Sequence, residues 1–393
     1  TVLLRPDLLE KRPARLVYTN LHGTGGWIIV PMLRELGVEV TTVEGQDEQD
    51  GDFSTVNSPN PENASALQMA IDLACETGAE AAIGTDPDCD RMGVAVRNAA
   101  GEMLLLSGNQ LGTLMAWYRI KTFFEQGIIS ESNRSRATLV KTFVTSEFQA
   151  AVARRFGIGV VNTLTGFKYI GEKLRKYEET IPVDKRGDYR ALGEKEKRTL
   201  QLEYSRFLVF GGEESYGYLG CDFVRDKDGN GAVVMFAELA AFAKSEGKKI
   251  TDLLDELYHE FGVHDELNTS IVLEGAGGAA RIAALSRSYS ENPPSELAGV
   301  AVGKVRDFSR EDIYDEEGDL VPKTGMLLVD LEDGRRFAVR PSGTEPKIKY
   351  YLFGRGAPGA ADLAASKKAV RDGLGDLWHS LRMDAHQRME AEP

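Results

Sequence analysis

The feature that most limits what this chain folds into is a rhythm that occurs twice. A short apolar run leads into a glycine-bearing or polar turn, then into a helical pattern, then into a second short apolar run. Residues 16–20 (LVYTN) have the length and content of a buried strand. The turn His22-Gly23-Thr24-Gly25-Gly26 follows. Trp27, Ile28, Met32, Leu33 and Leu36 then recur at helical spacing, Gly37 stops the helix, and 38–43 (VEVTTV) resumes as a strand. Strand, helix and strand in that order form a crossover, and so point to parallel neighbours in one sheet. A helix over 64–76 and strands over 80–85, 93–97 and 102–106 complete the first unit. The rhythm restarts with a helix at 109–126, a strand at 137–143, a helix at 146–156, a strand at 158–163, a helix at 167–178 and a strand at 206–210, before helices at 231–246 and 250–261.

Beyond residue 263 the pattern changes. Strands are expected near 268–273, 300–307, 325–330 and 335–339, with helices near 277–288 and 359–382. The expected fold class is α/β: two similar mixed-sheet α/β domains, 1–108 and 109–262, followed by a C-terminal α+β domain, 263–393. Residues 179–203 are charged and contain Pro182, Gly187 and Gly193, so they read as an exposed insertion with partial helix. Residues 383–393 read as a frayed tail.

Composition narrows the function. Forty-seven basic residues against 61 acidic ones give a net charge of -14, which argues against affinity for nucleic acid or an anionic membrane surface. It leaves room for an anionic small molecule, because a few arginines in a cleft dominate locally. Cys75, Cys89 and Cys221 are widely spaced without a CxxC pair, as expected of a reducing, cytoplasmic compartment. No apolar run reaches the ~18 residues of a membrane span, and no signal peptide opens the chain.

Three loops carry chemistry. The first is Gly84-Thr85-Asp86-Pro87-Asp88-Cys89-Asp90-Arg91-Met92-Gly93, at the carboxyl end of a strand, where open α/β sheets place ligands. Asp86, Asp88 and Asp90 splay apart on a helix but converge on a loop. Three convergent carboxylates repel unless a cation sits between them, and Mg²⁺ suits so few oxygen ligands with open positions. Arg91 beside them is placed to grip a phosphoryl group. An EF-hand also begins DxDxD, but Arg91 stands where that loop needs glycine and Arg97 where it needs the closing glutamate.

The second loop is Gly211-Gly212-Glu213-Glu214-Ser215-Tyr216-Gly217. Glu213 and Ser215 alternate and face one side, a carboxylate acceptor and a hydroxyl suited to sugar hydroxyls. Downstream, Lys227 in Arg225-Asp226-Lys227-Asp228-Gly229 is a candidate sugar or phosphate contact. The third loop is Arg340-Pro341-Ser342-Gly343-Thr344-Glu345-Pro346. Gly343 permits a turn whose N–H groups form an anion nest, Ser342 and Thr344 add hydroxyls, and Arg340 supplies a planar fork for phosphate oxygens. Weaker signals fare less well. His22 to Gly26 does not fit GxGxxG, since Ile28 fills the last glycine position. Thr165-Gly166-Phe167-Lys168 opens a helix and serves either as a ligand contact or as a cap with core packing.

Taken in order, the three loops resemble those of the α-D-phosphohexomutase superfamily: its metal loop (Gly84 to Gly93), sugar loop (Gly212 to Gly217) and phosphate loop (Arg340 to Pro346). Leu21 to Gly25, Thr165 to Lys168 and Phe223 to Gly229 resemble its phosphoglucomutase/phosphomannomutase branch, and within it the phosphoglucomutase-2 and phosphopentomutase-like members. The resemblance implies an isomerase of carbohydrate metabolism, a phosphoprotein in which a serine phosphate is passed to a sugar monophosphate through a bisphosphate. It implies Mg²⁺ as cofactor and glucose 1,6-bisphosphate as activator and intermediate. Asp86, Asp88 and Asp90 would be metal ligands and Arg91 catalytic; Glu213, Ser215, Lys227, Arg340, Ser342, Gly343 and Thr344 would bind substrate. Members have four domains around a cleft, the first bearing a Thr-Ala-Ser-His-Asn-Pro-like serine loop. These 393 residues contain no such loop, and they begin where the second domain would. The expectation is therefore family domains two to four, inactive alone, with glucose 1-phosphate and 6-phosphate as the leading substrate pair. Phosphopentomutase, a serine-less sugar-phosphate-binding regulator and a metal-dependent phosphatase are the competing readings.

Overall fold

The computed structural model describes residues 2–275, 277–342 and 345–391. Its internal contacts divide the chain into two units, Thr1–Glu256 and Leu257–Pro393.

The first unit holds two sheets of the same design. The strands of one are β1 (Arg15–Thr19), β2 (Glu39–Thr42), β3 (Ala81–Thr85), β4 (Met92–Arg97) and β5 (Met103–Leu105), in the order β2-β1-β3-β4-β5. Strand β1 runs parallel to β2 and β3, and β4 returns antiparallel to β3. The strands of the other are β6 (Ala137–Thr142), β7 (Gly159–Thr163), β8 (Phe207–Gly212) and β9 (Tyr218–Leu219), in the order β7-β6-β8-β9. Here β6 runs parallel to β7 and β8, and β9 returns antiparallel to β8. The central strands are buried along both faces, which is why LVYT, AAIGT and ATLVKT read as near-continuous runs rather than alternating ones.

Helices close the faces. In Ala64–Thr77 the buried residues Ala66, Leu67, Ala70 and Ala74 form one stripe, and Gly78 ends the helix in the left-handed conformation. Helix Gly108–Glu125 starts with a capping box between Ser107 and Gln110. Helix Gly229–Ser245 is buried from Ala232 through Ala243, all round. It touches β4, β9 and the helices Gly26–Glu35 and Gly108–Glu125, so it has no free face and needs no polar one.

The segment 179–203 is largely exposed and partly helical, as its charges lead one to expect, but it is tied down at a few buried points. Helix Lys168–Thr180 is followed by turns of helix at Val183–Arg186 and Tyr189–Ala191 and by helix Glu194–Tyr204. Ile181, Tyr189, Lys197 and Gln201 are buried. Its lysines and arginines made it look solvated, yet Lys197 buries its stem and its ammonium finds a backbone carbonyl.

The second unit is a six-stranded antiparallel sheet. Its strands are β10 (His264–Val272), β11 (Glu296–Leu297), β12 (Val300–Asp307), β13 (Leu327–Leu331), β14 (Arg336–Pro341) and β15 (Lys347–Arg355), in the order β10-β15-β14-β13-β12-β11. Helices Gly278–Glu291 and Leu363–Ala391 pack on this sheet and on each other. The expected frayed tail is helix as far as Ala391. Ala385 is fully buried, and Arg388 donates to the Ser288 carbonyl at 3.0 Å and to its hydroxyl at 2.8 Å. Two anchors, one apolar and one polar, offset the fraying entropy of a helix end.

Candidate functional site

The aspartate loop joins β3 to β4, and the glutamate loop joins β8 to β9. They occupy the same place in two similar sheets. Each turn has a buried non-glycine residue in the left-handed region, Cys89 (φ 58°) and Tyr216 (φ 65°), four positions beyond the end of its strand. The two turns meet edge to edge. Arg91 and Gly217 form an antiparallel bridge, Met92 N–H donates to the Tyr216 carbonyl at 3.1 Å, and Gly229 N–H donates to the Cys89 carbonyl at 3.1 Å. Backbone pairing, rather than side-chain contact alone, sets the spacing between the acidic groups of the two loops.

Asp86 organises its own loop. Its Oδ1 accepts the Asp90 and Arg91 amides at 3.0 and 2.9 Å, and its carbonyl accepts the Cys89 amide at 2.9 Å. The coil this makes brings one carboxylate oxygen from each of Asp86, Asp88 and Asp90 within 4.8 Å of one another. Burial and the neighbouring Asp90 and Asp88 charges push the Asp86 carboxyl up to about 7, against the pull of the Arg91 amide. The Asp90 Oδ1 atom is buried and has no hydrogen-bond partner among the described residues. A crowded carboxylate set with an orphaned buried oxygen is what a small divalent cation would satisfy, so these residues fit Mg²⁺.

Cations of the protein surround this cluster. Arg91 places Nε 3.8 Å from Asp86 Oδ2 and 3.7 Å from Asp90 Oδ1, and its Nη1 donates to Glu62 Oε1 at 2.7 Å. Lys227 Nζ lies 2.5 Å from Asp90 Oδ2. Burial disfavours the Lys227 ammonium, but the Asp90 carboxylate outweighs it and the net shift is upward. The lysine reaches Asp90 by lying across Gly217, where a Cβ would stand 2.4 Å from Lys227 Cδ; any side chain there would displace it.

Glu213 is buried. Its Oε1 accepts the Gly166 amide at 2.8 Å, so Gly166 holds this carboxylate from the protein side. Burial raises its pKa, while the Gly166 amide and the charges of Lys227 and Arg91 pull it down. Ser215 is half-buried in the same turn. Glu214 points the other way, into the protein, where Thr142 and Thr145 hydroxyls donate to it at 3.2 and 3.3 Å.

Within the first unit, then, Asp86, Asp88, Asp90, Arg91, Glu213 and Lys227 lie in one neighbourhood. Two contributors escaped the sequence reading. Glu62 comes from the Asn/Pro-rich loop before helix Ala64–Thr77, held by its amide's bond to Asn60 Oδ1 at 2.9 Å. Nothing local marks it as a partner for Arg91, because only the fold brings 62 beside 91. The turn after β1 also serves the site: Thr24 donates its amide and hydroxyl to the Pro87 carbonyl at 2.9 and 3.1 Å, bracing the aspartate loop. His22 is buried behind it against the Glu48 carbonyl and Thr55.

In the second unit, Arg340 is next to last in β14, opposite Lys349 of β15, and Ser342 N–H donates to the Lys347 carbonyl at 2.8 Å. Arg340 Nε is buried without a hydrogen-bond partner among the described residues. Gly343 and Thr344 lie outside the described residues. Lys347 pairs with Glu345 at 2.5 Å.

Comparison with known proteins gives this arrangement a family. The phosphoglucomutase/phosphomannomutase models match in chain order: alpha/beta/alpha domain II over residues 3–101, alpha/beta/alpha domain III over 107–261 and the C-terminal domain over 296–368. The phosphoglucomutase of Staphylococcus aureus (strain USA300) is 33% identical over 350 residues, 88% of this chain and 57% of that protein; the counterpart from strain N315 is 32% identical over the same span. Two crystal structures share the fold. The phosphoglucomutase pp63/parafusin of Paramecium has a TM-score of 0.62 at 17% identity, covering 98% of this chain and 60% of that one. A phosphoglucomutase/phosphomannomutase family protein of Burkholderia thailandensis has a TM-score of 0.58 at 17% identity, covering 97% and 63%. The chain belongs to the phosphoglucomutase/phosphomannomutase family. It spans a little over half the length of the curated relatives it matches. Among the described residues, no helix is long and apolar enough to cross a membrane.

Proposed function

We propose that these residues form the metal-, sugar- and phosphate-binding part of a mutase that interconverts hexose 1-phosphate and 6-phosphate, glucose being the leading sugar. The observation that carries the reading is the joining of two loops by backbone pairing. It sets three clustered carboxylates beside an arginine, a lysine and a fourth, buried carboxylate. Asp86, Asp88 and Asp90 would hold Mg²⁺, which when bound supplies Lewis-acid polarisation of a phosphoryl group. Arg91 offers planar donors to phosphoryl oxygens and stabilises charge that grows on them. Glu213 and Ser215 accept and donate to sugar hydroxyls, and Lys227 donates to a sugar or phosphate oxygen. Arg340 and Ser342, with Gly343 and Thr344, would bind a phosphate that does not react.

The transfer cycle implied by the family resemblance needs a phosphoserine, and these 393 residues hold no matching serine loop. We therefore expect this chain alone to bind a sugar phosphate without turning it over, with glucose 1,6-bisphosphate among its ligands. The test is calorimetric titration with glucose 1-phosphate, glucose 6-phosphate, ribose 5-phosphate and unphosphorylated glucose, with and without Mg²⁺. The reading requires the hexose phosphates to bind at least about tenfold more tightly than glucose, a difference of about 1.4 kcal/mol, and Mg²⁺ to strengthen them. Equal affinity for glucose and its phosphates overturns it, and a preference for ribose 5-phosphate moves the substrate to the pentoses.

A further inference from the structure

We propose that helix Lys168–Thr180 and the helical segment following it form a brace that sets the position of Lys227, and thereby the grip of the glutamate-loop site on its ligand. This rests on the ligand role given to Lys227 above.

The polar groups of the segment converge on one short turn, 222–225. Asp222 is buried; Tyr189 donates its hydroxyl to Asp222 Oδ2 at 2.9 Å, and Lys197 donates to the Asp222 carbonyl at 3.3 Å. Arg190 adds a charge 3.6 Å from Asp222 Oδ1. Arg225 closes the turn on itself, with Nε 2.8 Å from Asp222 Oδ1 and Nη2 3.1 Å from Oδ2. Its Nη2 also reaches Glu178 of helix Lys168–Thr180 at 2.5 Å. That helix lies flat against the turn, since a Cβ on Gly171 would stand 2.5 Å from the Arg225 carbonyl oxygen.

Burying a lysine and a tyrosine hydroxyl is costly unless each finds a partner. Here both partners belong to the same turn. Lys197 also sets its ammonium 5.3 Å from the Tyr189 ring centroid, which ties the two bracing residues together. Satisfied in this way, such a network fixes one backbone geometry.

What the turn controls lies two residues on. Downstream, the chain is anchored by Asp228 N–H on the Tyr218 carbonyl at 3.0 Å and by the Asp228 side chain capping Gly231 at 2.9 Å. Lys227 is therefore held between two anchors, and only the upstream one is supplied by the brace. Its long side chain crosses Gly217 to reach Asp90, so a small shift of the backbone is carried to the ammonium. Tyr189, Glu178 and Asp222 act through Lys227 and are positioning residues.

The test uses the full chain with Tyr189→Phe and Glu178→Gln, which remove one polar contact each and keep the shape. Glucose 6-phosphate affinity is measured with Mg²⁺ in the native background and in Lys227→Met, together with the thermal midpoint. The rate at which an amine-acylating reagent modifies Lys227, read by mass spectrometry, is measured without ligand. The brace predicts a loss of affinity of about threefold to tenfold, the range of one hydrogen bond. It predicts that this loss shrinks below about twofold in Lys227→Met, and that Lys227 is modified faster in both variants. Equal losses in the two backgrounds, or a lower midpoint with unchanged affinity and unchanged Lys227 modification, overturn it. If Lys227→Met by itself leaves glucose 6-phosphate binding intact, the ligand role of Lys227 fails, and the modification rate still decides whether the segment positions the side chain.

Discussion

At the scale of single residues, the site works by unequal treatment of like groups. Asp86 spends one oxygen on two backbone amides, Asp90 is shared with Lys227, and Asp88 is exposed. Asp88 is therefore the carboxylate whose removal costs the loop least structure. Asp88→Ala should abolish Mg²⁺ binding in calorimetry while leaving the circular dichroism spectrum unchanged; an unaltered magnesium isotherm would remove the metal assignment. Arg91 is governed by Glu62, its partner at 2.7 Å. Both side chains are about one-third exposed, so the pair adds little to stability, but it fixes which edge of the guanidinium is free. Glu62→Gln should leave the thermal midpoint within about 1 °C of the native value, corresponding to less than about 1 kcal/mol. It should weaken glucose 6-phosphate binding severalfold. A midpoint drop with intact binding would make Glu62 a purely structural residue. The DxDxDR spacing showed in the sequence where a cation would sit. It carried no sign of Glu62, because the partner of a charged side chain is set by the path of a loop rather than by local pattern.

At the scale of elements, the turns between β3 and β4 and between β8 and β9 do the positioning. Two consecutive glutamates in the second turn are sent to opposite sides. Glu213 stays with the cations, whereas Glu214 enters the protein against Thr142 and Thr145 and is pushed up to about 7, first by burial and then by the Glu213 charge. Its folded value lies above its unfolded one, so the native state binds the extra proton. Stability from this group is full below the ordinary glutamate range and is lost as pH rises toward about 7, then stays level. Asp86, raised in the same direction, adds to the same slope. Glu214→Gln should flatten part of the decline in urea midpoint between pH 5 and 8, and stabilise the chain at pH 8 by about 1–3 kcal/mol. Saturating Mg²⁺ should remove the share owed to Asp86. A native chain equally stable at both pH values would contradict the burial of Glu214. Alternation in Glu213-Glu214-Ser215 was enough to expect Glu213 and Ser215 on one side. That Glu214 serves as an internal anchor was not legible, since its threonine partners lie about seventy positions earlier in the chain.

At the scale of the whole molecule, the chain divides into two units, and the phosphate-loop arginine belongs to the second. Arg340→Ala should weaken glucose 6-phosphate binding by about 1.5–3 kcal/mol, the size of a lost charged hydrogen bond. It should leave both the Mg²⁺ isotherm and the affinity for unphosphorylated glucose unchanged. An equal loss for glucose would mean that Arg340 does not read phosphate. The C-terminal tail is where tertiary contacts overrode composition, and within the largely exposed segment 179–203 a few side chains are drawn in. Each is rich in charge and carries few apolar residues, but Tyr189, Lys197 and Arg388 find partners far along the chain and Ala385 is buried.

The sequence by itself determined the class of fold, the order of the chemical loops and the identity of the acidic cluster. These depend on short-range facts: the two-residue and 3.6-residue periods, and carboxylates spaced two apart on a turn. Only the tertiary structure decided which charges face one another. The Arg91–Glu62 and Lys227–Asp90 pairs and the convergence on Asp222 are contacts between residues tens to more than a hundred positions apart. Their geometry follows from the pairing of two hairpins and the packing of helices, and no local pattern encodes a distance across the fold.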